Sequence, residues 1–99
     1  MNKQQRLLSK RQLAMCSKNK YLLEYLSFDK NKYIRCSVAR NLNTSKETLE
    51  KLSNDKEYIV RYSVADNPNT SDEVLKVFKN DKVIVISQLA IRKLYSCLE

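Results

Sequence analysis

Ninety-nine residues, 42% apolar and 30% charged, have the composition of one folded domain and exclude a disordered chain. With no Gly and a single Pro, Pro68, a fold of many strands joined by tight turns is excluded in favour of helices. The net charge of +8 is uneven: +5 in residues 1–28, +3 in 29–54, −1 in 55–80 and +1 in 81–99.

The first segment, 1–28, reads as a partial unit. Its opening run, Met1 to Lys10, interrupts Leu7 and Leu8 with charge before a signal-peptide core can form. No apolar run reaches the roughly 20 residues of a membrane span. The expectation is a cytoplasmic protein without a membrane anchor. Leu22, Leu23 and Leu26 precede Asp29 as Thr48, Leu49 and Leu52 precede Asp55. Leu13-Ala14 align with Val38-Ala39 if one residue is deleted.

Residues 29–54 and 55–80 are two copies of one 26-residue unit, identical at thirteen positions without a gap. Each unit divides into two helices. Thr44-Ser-Lys-Glu47 and Thr70-Ser-Asp-Glu73 have the spacing of capping boxes, with the Thr as N-cap. From there Leu49 and Leu52, or Leu75 and Phe78, share one helical face. Asn54-Asp55 and Asn80-Asp81 end that helix and start the next. On the next helix, the fifth, eighth and ninth residues after the Asp form the buried face: Ile34, Ser37 and Val38, then Val60, Ser63 and Val64. Asn41 and Asn67 stop it, an expectation that rests on the tolerance of Asn for the left-handed region. Helices this short gain their stability from stacked neighbours.

Residues 81–99 begin a third copy. Ile86 matches Val60 and Ala90 matches Val64, and the apolar pattern predicts one capping helix from Val83 to about Leu98. Val83, Ile91, Leu94 and Leu98 form a second apolar face on it. Either a second copy covers that face in a homodimer, or the helix is wedged deeper into the core.

The string running from Asp55 through Arg61-Tyr-Ser-Val-Ala and Asn67-Pro-Asn-Thr to Leu75 and Phe78, with its counterpart in 29–54, resembles HEAT-like repeats. It resembles most the short bacterial form called the variant leucine-rich repeat. The resemblance covers about residues 13–94 and implies an all-α fold, a short right-handed solenoid of helix pairs, of bacterial or phage origin. It also implies a ladder between units in which Asp29, Arg35, Asp55 and Arg61 take part. Ser87 stands where the third Arg would, so the ladder should stop at Asp81.

Recurrent residues serve the scaffold, so function is expected where copies differ. The stripe three, seven and eleven residues after each Asp reads Lys32, Cys36, Arg40, then Tyr58, Tyr62, Asp66, then Ile84, Gln88, Arg92. Lys32, Arg40, Tyr58, Tyr62, Gln88 and Arg92 are the candidates for contact with a protein partner. The bland alternative is a solvated helix face. A rival reading is binding of nucleic acid through Lys10, Arg11, Lys18, Lys20, Lys32, Arg35 and Arg40. Catalysis is not expected, since there is no His and no thiol has an adjacent base. Cys16, Cys36 and Cys97, spaced 20 and 61 residues apart with no C-x-x-C, read as structural. Neither metal nor cofactor is expected.

Overall fold

The structure, a computed structural model, describes residues 2–96 apart from the side chain of Leu8. It is all-helical, with seven helices and no strand among the described residues. They are α1 (Lys3–Cys16), α2 (Lys20–Leu26), α3 (Lys32–Arg40), α4 (Lys46–Leu52), α5 (Tyr58–Asp66), α6 (Asp72–Phe78) and α7 (Ile84–Tyr95). None is long and apolar enough to cross a membrane. The four odd-numbered helices pack side by side in chain order, and each even-numbered one packs on the long helices before and after it. The envelope measures 50 × 25 × 20 Å.

One continuous core runs the length of this array. Ile34 and Val38 on α3, Val60 and Val64 on α5 and Ile86 and Ala90 on α7 are fully buried, with Leu23, Leu49, Leu75 and Phe78 packed on them from the short helices. Each large aliphatic side chain among them contributes about 1.5–3 kcal/mol. The expected inner face of the second helix in each unit is therefore the observed one.

The caps differ from the expected boxes by one residue. Ser45 and Ser71 are the N-caps of α4 and α6, accepting from the Thr48 and Val74 amides. Thr44 and Thr70 sit one position earlier, buried, and their hydroxyls donate to Val38 O and Val64 O at 2.6 Å. They add a second donor to carbonyls at the end of the preceding helix, which already accept from the Asn41 and Asn67 amides, rather than serving the amides of the following one. Asn54-Asp55 and Asn80-Asp81 do not start a helix directly either. Asp29, Asp55 and Asp81 each accept from the amide two residues on, forming a side-chain turn that sets the entry into α3, α5 and the Val83 end of α7.

Asn41 and Asn67 also end their helices otherwise than expected. Their backbone is extended (φ −75°, ψ 128° and φ −72°, ψ 125°), not left-handed. Their buried side chains are the reason for their place. Asn41 Nδ2 donates to Ala14 O and Ser17 O, both at 2.9 Å. Asn67 Nδ2 donates to Ala39 O at 2.8 Å and Asn41 O at 3.1 Å. Each amide thus satisfies the carbonyl end of the long helix before its own. Lys93, 26 residues beyond Asn67, does the same from within α7: its Nζ donates to Ala65 O at 2.8 Å and Asn67 O at 3.3 Å.

A second row of links lies along the opposite ends of these helices. Arg35 Nε is 2.7 Å from the Asp55 carboxylate while its Nη1 donates to Asp29 O at 2.8 Å. Arg61 repeats the pattern with Asp81 at 2.9 Å and Asp55 O at 2.9 Å. Lys10 closes the near end on Asp29 at 3.0 Å, and no ion pair extends the row beyond Asp81 among the described residues. Burial tends to raise the Asp55 carboxyl, but the Arg35 hydrogen bonds, the Glu57 amide and the Arg35 charge together hold it below the ordinary value. Asp29 and Asp81 are lowered against burial in the same way, by Lys10 and Arg61 with their local amides.

Candidate functional site

Between the two rows of links, the outer edges of the odd-numbered helices leave a groove. Ser37 and Ser63 allow α3 and α5 to approach: both are small, nearly buried, and turn their hydroxyls back onto their own helices, to Tyr33 O at 3.0 Å and Ile59 O at 2.9 Å. Around this floor, α3 supplies Tyr33, Cys36 and Arg40, and α5 supplies Tyr58, Ile59 and Tyr62. Arg11 of α1 closes one end and Val85 of α7 the other, giving a cavity of about 470 Å³. Tyr33 and Tyr58 are each 54% exposed and Tyr62 39%, so their rings are available from outside.

The electrostatics of the groove are one-sided. Its lining contains two guanidinium groups and three phenols but no Asp or Glu. Neither Arg11 nor Arg40 forms an ion pair among the described residues. Arg40 lies in the last turn of α3, where the helix dipole favours a cation. The Cys36 thiol is pushed up, by burial first and by the Asp55 charge, against the opposing pull of Ser63, Arg35 and Arg40. A raised thiol is a poor nucleophile at neutral pH.

Of the residues expected to contact a protein partner, Arg40, Tyr58 and Tyr62 are brought together here, joined by Arg11 from the polyanion set. Lys32 turns away to Glu57 at 3.7 Å and lines a separate, mixed-charge hollow with Asp29 and Asp55. Gln88 and Arg92 are exposed on α7 beyond the groove. The polyanion set does not form one track: Lys10 is bonded to Asp29 and Arg35 to Asp55, while Lys18 and Lys20 lie exposed around the start of α2.

The expected apolar face of α7 is corrected as well. Val83 and Leu94 pack against the core, Ile91 is exposed, and Leu98 lies outside the described residues. The open apolar residues of α7 are Ile84, Val85, Ile91 and Tyr95. Cys16 is exposed rather than packed, and Cys97 also lies outside the described residues.

Sequence reasoning missed Tyr33 and Ile59, which follow the chosen stripe by one position. The available signal was that helices this closely packed show a face two columns wide. It also missed the outer side of α2 and the turn after it, where Tyr21 and Tyr25 on the helix and Phe28 in the turn recur at four- and three-residue spacing and are exposed. Lysines stand over two of those rings, Lys20 at 5.4 Å from Tyr21 and Lys51 at 3.4 Å from Phe28. Comparison with known protein families, with curated proteins and with solved structures gave no match to this chain.

Proposed function

We propose that this chain is a non-enzymatic, cytoplasmic protein-binding module, an adaptor or inhibitor that acts by occupying a partner's surface through the Tyr33–Tyr58–Tyr62 groove. The observation that carries the reading is the convergence on one cavity, from three helices, of three accessible tyrosines and two arginines that form no ion pair among the described residues. Tyr and Arg are the residue types that dominate binding energy at protein interfaces, because each covers a large contact area with few rotors or many donors. The proposed scaffold is a short right-handed solenoid of HEAT-like helix pairs. Its support is the 26-residue recurrence of Asn41, Asn67 and Lys93, and of the Arg35–Asp55 and Arg61–Asp81 links.

A second reading, binding of nucleic acid by the basic N-terminal half, is favoured by the aromatic and lysine face of α2. Affinity capture from the native cell separates the two. The protein reading expects a partner that resists nuclease treatment and is lost with Tyr58→Ala/Tyr62→Ala, at unchanged helical circular dichroism. A captured species that vanishes with nuclease, and a binding constant falling steeply between about 50 and 200 mM salt, would transfer the function to α2.

A further inference from the structure

The groove has a direction, and from it we infer the chemistry of its occupant: an extended peptide segment with acidic residues at one end and aliphatic residues at the other. The inference rests on the protein-binding reading and names the partner's side of it. Arg11 and Arg40 mark the α1–α3 end and Ile59 and Val85 the α5–α7 end, with Tyr33 contributed by α3 and Tyr58 and Tyr62 by α5. The only charged groups in the lining are the two guanidinium donors at the first end, the Ser37 and Ser63 hydroxyls are turned back on their own helices, and no carboxylate in the lining competes for the guanidinium groups. A guanidinium fork binds a carboxylate through two parallel bonds, so two forks without an ion pair among the described residues select for glutamate or aspartate.

Length follows from the packing. Four helices in contact order at about 9 Å apart span roughly 27 Å, which an extended chain at about 3.3 Å per residue crosses in about eight residues. A nucleic-acid strand fits less well. It carries charge along its whole length, whereas the α5 portion of the groove has no cation in its lining.

Fluorescence anisotropy with rhodamine-labelled octapeptides tests this on the full chain. One peptide carries three glutamates followed by alternating serine and leucine; a second has glutamine for glutamate, a third lysine, and an eight-nucleotide thymidine strand is run beside them. The glutamate peptide should bind at least tenfold tighter than the glutamine peptide. That margin should vanish in Arg11→Gln/Arg40→Gln and persist in Lys18→Gln/Lys20→Gln, whose cations lie outside the groove. Equal binding of the glutamate and glutamine peptides, still lost with Tyr58→Ala/Tyr62→Ala, overturns the carboxylate preference and leaves the protein-binding reading standing. Tighter binding of the thymidine strand overturns both. Absence of binding by all three peptides overturns the inference, and partner capture then decides the protein reading separately.

Discussion

Arg35 and Arg40 stand five residues apart on α3, and the structure uses them in opposite ways. The Arg35 side chain is 12% exposed and bonded to Asp55 and to the Asp29 and Lys30 carbonyls. Arg40 is exposed, unpaired among the described residues and faces the groove. The same contrast runs through the molecule. Helix ends carry side chains that hold one helix to the next, while the outer edge between them carries chemistry that the fold does not consume. Charge alone therefore says little about function here; what separates the two regions is whether the chain itself supplies the counter-ion.

The link that should cost most to break is Asn67. It is 3% exposed. Its amide serves Ala39 O and Asn41 O, and its carbonyl accepts from Asn69 N at 2.8 Å. Asn67→Ala leaves Ala39 O and Asn69 N without partners and Asn41 O with only the Thr44 amide, a loss of about 3 kcal/mol. Urea unfolding measures it. A loss below about 1 kcal/mol would mean that water replaces the side chain, and that this row is not a structural element.

Arg35→Ala comes next. The Asp55 side chain left behind is 10% exposed, so a poorly solvated charge loses its partner at a cost of about 2–3 kcal/mol. An unchanged urea midpoint would reduce the Arg35–Asp55 bond to a surface pair, which is typically worth less than about 1 kcal/mol.

Acid tests the same row without mutation. Asp29, Asp55 and Asp81 are each held below the ordinary carboxyl value of 3.8. Each therefore binds its proton less readily folded than unfolded. The stabilisation is complete above 3.8 and is lost as pH falls through the lower folded values. Stability should be level from about pH 7 to 5 and then drop below pH 4. In Asp55→Asn/Asp81→Asn it should start lower and fall less steeply. An equally steep acid limb in that variant would assign the transition to other carboxylates.

How legible each region was follows from the same contrast. The core face was readable because burial repeats with the period: Ile34, Val60 and Ile86 are the same position three times. The ladder residues were readable as scaffold, but the reach of Arg35 to the next unit's Asp55 carboxylate, rather than to that of its own Asp29, is visible only in the structure. The caps were misread because Glu47 and Glu73 complete the motif with Thr44 and Thr70, whereas the hydroxyls that cap, Ser45 and Ser71, have Thr48 and Val74 at that spacing. Only the position of Val38 O and Val64 O assigns the Thr backwards. The role of Asn41 and Asn67 was hidden because it is tertiary: their partners lie 24 to 28 residues away. Lys93 escaped for a further reason. Lys and Asn share no propensity, only the capacity to donate to two carbonyls from the same place. In the groove, Arg40, Tyr58 and Tyr62 were read from their variability between copies, whereas Arg11 was displaced by the one-residue deletion in the first unit.

The smallest expected effect closes the comparison. Arg40→Ala removes a cation from the last turn of α3 but no bond within the fold, so its stability cost should stay within about 0.5 kcal/mol, the value of the helix-dipole term at an exposed site. Measured beside Arg35→Ala under one set of conditions, the two unfolding curves should differ by about 2 kcal/mol for the same chemical deletion on the same helix. A loss above about 1 kcal/mol in Arg40→Ala would show that the groove arginine also holds the scaffold, and the division between the two regions would fail at its most direct point. A neutral result leaves Arg40 as a charge that the fold does not use, available beside Tyr33 and Tyr62 to the acidic segment proposed for the groove.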